Sequence, residues 1–183
     1  MKLITVTGYK GGCAKSTTAI HIATYLSDRG KTLLIDSDQN RTAVAWSKAG
    51  KLPFAVEDER SSIKAIPGND YIVVDTPARP ESDDLKELAS NSDLLILPTT
   101  PDVVSLRPML ITTKDIPRGT NYRVLLTIVP PYPSKEGVLV RQDLIDSDIA
   151  VFKTMIRRSS GFAKAAIAGV TIRDLKDKTR VAW

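Results

Sequence analysis

One run of eight residues, Lys10-Gly11-Gly12-Cys13-Ala14-Lys15-Ser16-Thr17, brings together the groups that hold phosphates. Glycines let successive backbone N–H groups curl around phosphate oxygens, and a helix opening directly behind them adds the positive end of its dipole. Lys15 is then placed to reach the outer phosphates of a nucleotide, and the Ser16 hydroxyl suits a Mg2+ ligand. A Gly-rich turn between strand and helix can be no more than a tight turn, but a Lys-Ser pair opening the helix has no purpose in that reading. The ordinary Walker pattern asks for glycine at positions 9 and 14, where this chain has Tyr9 and Ala14.

Three carboxylates stand at the ends of apolar runs. Asp36 closes one run, Asp38 follows two residues on, and Asp75 closes Tyr-Ile-Val-Val-Asp. Phosphoryl transfer needs positioning and charge neutralisation more than covalent help, and acids beside a phosphate loop supply both by orienting water and holding a metal. The competing reading is a solvated strand end, and for Asp36 the two stay open. Cys13 reads as a small filler in a variable position of the loop rather than a nucleophile. His21 has no matching partner and reads as a surface or packing residue. A single cysteine excludes an internal disulfide, in keeping with a reducing cytoplasm, and one cysteine with one histidine argues against a protein-built zinc or iron–sulfur site.

The elements that must position these residues alternate along the chain. Leu3–Thr7 reads as a buried strand and Ser16–Arg29 as a helix with Ala19, Ile22, Ala23 and Leu26 on one stripe and Gly30 as its stop. Strands follow at Thr32–Asp36, Tyr71–Asp75, Asp93–Pro98 and Tyr122–Val129, with a polar helix over Glu81–Ala89 and a last strand at Ala150–Ile156. Strands apolar on both faces and separated by helices imply an α/β fold, a mostly parallel twisted sheet with helices on both faces. Ligands bind such sheets at the carboxyl ends of strands, so Gly8–Ser16, Asp36–Asp38 and Asp75–Pro77 should share one edge. The 183 residues read as a single domain, 1–183, and no apolar run reaches the roughly 20 residues a membrane-spanning helix needs.

The net charge of +5 is unevenly spread. Residues 151–183 carry Lys153, Arg157, Arg158, Lys164, Arg173, Lys176, Lys178 and Arg180 against Asp174 and Asp177, a net +6, which leaves −1 for the rest. Such a concentration suits an anionic partner or a solvated basic surface, and charge alone does not separate the two.

An extra lysine in front of the loop changes the reading. Lys-Gly-Gly-x-Gly-Lys-Ser/Thr is the deviant Walker A box of the ParA/MinD superfamily, and residues 10–16 resemble it at every position but Ala14. Asp36-Ser37-Asp38-Gln39-Asn40 resembles that family's Asp-x-Asp-Pro-Gln box with Gln39 for proline, and Ile72–Pro77 its Walker B strand and the switch behind it. The resemblance implies that residues 10–17 bind ATP, that Lys15 serves its own nucleotide, and that Lys10 reaches across a dimer to its partner's. It implies that Asp38 orients the attacking water and contributes to the metal site, and that Asp75 holds Mg2+ through its water shell. Thr127 stands nearest to where the family carries an adenine-reading asparagine.

Within the superfamily, the absence of cluster cysteines, of an apolar C-terminal anchor and of a leading helix-turn-helix implies the small ParA type. Such proteins form an ATP-sandwich dimer in the cytoplasm, associate with the nucleoid through nonspecific DNA, and position plasmids, chromosomes or carboxysomes. An adaptor on the cargo stimulates the ATPase, and no membrane is involved. Arg157, Arg158, Lys164, Arg173 and Lys176 are the DNA-binding residues this implies, with a helix cap or an acidic partner as the other reading of the arginine pair. The family usually closes with one more helix, which this chain is expected to lack. Two other classes share the loop: a metabolic ligase of dethiobiotin-synthetase type and a nucleotide-binding switch without significant hydrolysis.

Overall fold

Short runs whose alternate residues are buried on opposite sides assemble into one sheet. The computed structural model describes residues 1–175. Among them are six strands, β1 (Lys2–Gly8), β2 (Thr32–Asp36), β3 (Ala55–Asp58), β4 (Tyr71–Ala78), β5 (Leu94–Thr99) and β6 (Tyr122–Leu126). They lie in the order β3-β2-β4-β1-β5-β6, and every neighbouring pair is parallel. The helices are α1 (Lys15–Ser27), α2 (Thr42–Lys48), α3 (Glu59–Ala65), α4 (Ser82–Asn91), α5 (Val103–Asp115), α6 (Glu136–Asp146) and α7 (Ser160–Ala168), followed by a 3-10 turn at Ile172–Asp174.

The period of two in each strand sorts the helices onto two faces. Ile4, Val6, Leu34, Val73, Ile96 and Leu125 pack with Ala19, Ile20 and Ala23 of α1, Trp46 of α2 and Ala165 of α7. Their strand neighbours point the other way: Leu95, Leu97, Val124 and Leu126 meet α4, α5 and α6, and Leu33, Ile35 and Ile72 meet Ala65 at the end of α3. The expected α/β architecture with helices on both faces is therefore present, and the sheet is wholly parallel among the described residues. Gly30, expected to stop the first helix, follows it and admits a close neighbour. A Cβ there would lie 2.6 Å from Oδ2 of Asp70, the atom that accepts the Lys31 N–H.

Two expected strands change. β6 ends at Leu126 rather than Val129, because Ile128 takes a left-handed conformation with φ 52° and turns the chain before Pro130. Ala150–Ile156 is not a regular strand. The Ala150 carbonyl accepts the Val124 N–H, Phe152 donates to Val124, and Ile156 donates to Leu126, so four residues here span what two span on β6. The extra residues break the ladder and leave isolated bridges at Val151 and Arg157. β3 was not expected: Ala-Val-Glu-Asp is one exposed and three half-buried residues at the sheet edge, with no apolar run to announce it.

Candidate functional site

Strand register brings the acids level with the loop. Asp36 of β2 and Val6 of β1 both pair with Asp75 of β4, so the two aspartates are cross-strand neighbours at the carboxyl edge, two residues before β1 ends at Gly8. Behind Gly8 the chain turns through Gly12, at φ 81°, and enters α1 through Ala14, at φ 66° and ψ 33°. No side chain caps α1. Its first N–H groups have no intrahelical acceptor and open onto the loop, which is what an anion site at a helix N-terminus requires.

Within the loop, Lys15 is 7% exposed, and its Nζ lies 3.5 Å from the Lys10 carbonyl, inside the turn that phosphates would occupy. Cys13 is buried and its thiol donates to the same carbonyl, and burial pushes its pKa up, so it fills space as expected. Thr127 braces the loop from behind β6: its hydroxyl lies 2.9 Å from the Cys13 carbonyl and 3.1 Å from the Thr99 carbonyl. With its proton shared between two backbone acceptors, Thr127 holds the loop in place.

The three acids differ in environment. Asp36 is fully buried; its carboxylate accepts the Val44 and Asp38 N–H groups, and its carbonyl accepts Nη1 of Arg41, so it clamps the turn into α2. Asp38 is half-buried, and Oδ1 takes both bonds from Asn40, the N–H at 2.8 Å and the side-chain amide at 2.9 Å. Among the described residues nothing bonds to its other oxygen. Asp75 is fully buried and both its oxygens lack a hydrogen-bond partner. Burial pushes its pKa up to about 7, Asp36 and Asp38 add to the rise, and the nearby Ser16 hydroxyl and Lys15 charge oppose it. An orphaned carboxylate costs free energy unless a cation or water compensates it.

That orphan fits a divalent ion. No cluster of three or more metal-ligating side chains exists among the described residues, so Mg2+ would rest mainly on phosphate oxygens and water. Ser16 and Asp75 are the residues placed to add to that shell.

Lys10 takes a different direction from Lys15. Its Nζ donates to Oγ of Ser105 at 2.8 Å and lies 3.6 Å from Oδ1 of Asp102, at the start of α5. Asp102 caps that helix by accepting the Ser105 N–H at 2.9 Å. Burial alone would raise the Asp102 pKa. Hydrogen bonds from the Thr100 hydroxyl and from the Ser105 hydroxyl and N–H, with the Lys10 charge, overcome that and bring it down to about 2. This cluster was not foreseen, since only the Asp-x-x-Ser capping pattern is local and 95 positions separate Lys10 from Ser105.

A cavity of about 610 Å3 opens beside the loop, walled by Ala14 and Thr17 on one side and by Ile128, Arg157, Arg158 and Ser159 on the other. Deeper in are His21, Trp46 and Phe162, with the ring of His21 edge-on to both others. His21 is buried: Nδ1 bonds the Thr17 carbonyl at 2.7 Å and Nε2 accepts the Ile172 N–H at 3.1 Å. It therefore tethers the 3-10 turn to α1, a packing role.

The basic residues are less tightly gathered. Arg157 and Arg158 are exposed at the cavity mouth and neither pairs with an acid among the described residues, and Lys164 is exposed on α7. Arg173 is held on Asp28 at 2.5 Å, at the far end of α1 from the loop. Lys176, like Lys178 and Arg180, lies outside the described residues.

A parallel sheet that presents a phosphate loop, a level pair of acids and an uncapped helix at one edge defines a P-loop nucleotide-binding domain. This chain belongs to the CobQ/CobB/MinD/ParA nucleotide-binding domain family, which matches residues 4–172. It is 32% identical over 186 residues to maintenance of carboxysome distribution protein A of Gloeobacter kilaueensis, spanning 97% of this chain and 86% of that one. It is 26% identical over 196 residues to protein ParA of Rhizobium radiobacter, spanning 97% and 88%. Apo McdA of Cyanothece superposes on 100% of this chain and 96% of its own with a TM-score of 0.79 at 14% identity, a likeness of fold.

Proposed function

We propose that this chain is a ParA-like ATPase that forms a dimer around ATP, binds duplex DNA without sequence preference in that state, and positions or segregates a cargo. The direction of Lys10 carries the reading. One lysine of the loop, Lys15, lies within its own phosphate cradle, while Lys10 extends out of it to α5. Lys10 rests on Ser105 and Asp102 rather than within its own phosphate cradle, and in this reading it leaves them to meet a partner's nucleotide.

In this reading Lys15 and the N–H groups of residues 11–17 hold the phosphates, with Ser16 and Asp75 supporting Mg2+. The ion supplies charge neutralisation at the outer phosphates. Asp38 orients the attacking water through the carboxylate oxygen that Asn40 leaves open. Arg157 and Arg158, with Lys164, Arg173 and Lys176, meet DNA phosphates. Arg173 has to leave Asp28 to take part. The work takes place in the cytoplasm on the nucleoid, and an adaptor on the cargo stimulates hydrolysis. The name of the Gloeobacter kilaueensis relative points to carboxysomes as one such cargo.

The test is ATP turnover with and without duplex DNA and Mg2+. Slow, DNA-stimulated, Mg2+-dependent hydrolysis supports the reading. Fast turnover that requires a small-molecule co-substrate would support a ligase, and tight ATP binding without hydrolysis a switch.

A further inference from the structure

We propose that Asp102 and Ser105 are positioning residues for Lys10, holding it in its own subunit until nucleotide-driven dimerisation draws it away. The inference rests on the proposed role of Lys10 across the dimer.

Two groups converge on one ammonium, and a third braces them. Ser105 is 2% exposed, so its hydroxyl is a fixed acceptor for Lys10, at 2.8 Å, rather than a passing surface neighbour. Asp102 supplies the opposing charge at 3.6 Å, and its orientation is set by the cap it makes with the Ser105 N–H. The hydroxyl of Thr100 ties the arrangement together, 2.6 Å from that of Ser105 and bonded to the Asp102 carboxylate. Such a preformed network orders a long side chain that would otherwise sample many rotamers. In the proposed sandwich Lys10 leaves this cluster to serve a nucleotide in the facing subunit. Each protomer therefore breaks one such interaction to form the sandwich, and a dimer breaks two.

The consequence is a threshold. A partly exposed ion pair of this kind shifts an equilibrium by roughly 2- to 5-fold. Two of them would raise the protein concentration needed for half-dimerisation by roughly 4- to 25-fold. Removing the attraction should lower that threshold.

The experiment is sedimentation velocity across a protein dilution series with saturating ATP and Mg2+. Wild type is compared with Asp102→Asn, Ser105→Ala, Asp102→Glu and Lys10→Ala. Asp102→Asn keeps the helix cap, since asparagine caps as well as aspartate, but removes the charge. It should dimerise at roughly 4- to 25-fold lower concentration, and less ATP should give half-maximal turnover. Ser105→Ala should move the same way by a smaller factor, and Asp102→Glu, which keeps the charge, should stay near wild type. Unchanged or weaker dimerisation in Asp102→Asn and Ser105→Ala, beside a Lys10→Ala variant that fails to dimerise, overturns this inference and leaves the sandwich standing. Normal dimerisation of Lys10→Ala removes the sandwich role of Lys10, and the inference falls with it.

Discussion

Ala14 is the residue at which this loop departs from the family box, and its backbone says what the departure costs. At φ 66° and ψ 33° it occupies the left-handed region, where an L-residue's Cβ crowds the following carbonyl at a cost of about 1–2 kcal/mol. Ala14→Gly removes that strain. It also gives the unfolded chain more freedom, which works against the folded state by about 0.4–1 kcal/mol. Alanine is a poor N-cap and glycine a good one, a further contribution in glycine's favour. The net expectation is stabilisation of roughly 1 kcal/mol, or about 2–4 °C in Tm for a chain of this length. The assay is thermal and urea unfolding of the nucleotide-free protein. Ala23→Gly, inside α1 and fully buried, is the control, and should destabilise as glycine in a helix does. Ala14→Val should be worse than wild type, because a β-branched residue is strongly disfavoured at positive φ. A lowered Tm for Ala14→Gly would refute the strain argument.

Lys15→Ala should weaken ATP binding by roughly 10- to 100-fold, since the variant has no buried ammonium to meet the phosphates, while Asp38→Ala should bind ATP yet fail to hydrolyse it; nucleotide titration and phosphate release read the two. Asp75 should make the nucleotide-free protein less stable as pH rises. The folded state keeps its proton to about pH 7 and the unfolded chain releases it near 3.8, so stability falls across that window by up to roughly 4 kcal/mol and stays low above it. Asp75→Asn should abolish that fall in urea unfolding measured near pH 5 and pH 7.5, and a wild-type profile already flat there would contradict it. Replacing Arg157 and Arg158 together by alanine should weaken binding equally to unrelated duplexes and flatten the log–log salt dependence by about 0.9 for each phosphate no longer neutralised. ATP titration is the control, because both residues also wall the cavity beside the loop.

What was legible in the sequence was what is local. The five apolar strands, the phosphate loop and the acids at strand ends follow from residue type and spacing, and their meeting at one edge follows from the direction of a parallel sheet. β3 was illegible because it is short, half-exposed and stabilised by pairing with β2 rather than by its own pattern. Ala150–Ile156 carries strand-like residues, but its extra length against β6 is a tertiary fact with no local mark. The partners of Lys10 and the wall formed by His21, Trp46 and Phe162 depend on the meeting of distant segments. Thr127 shows the same limit from the other side. Its place after a late strand was readable, but its bond to the Cys13 carbonyl was not.

The central claim is that nucleotide state decides assembly, and sedimentation velocity of the wild-type protein with Mg2+ tests it most directly. The account predicts a monomer with ADP and a dimer with ATP at the same protein concentration. A single species of unchanged size in both, under conditions where ATP is shown to be bound, would contradict it.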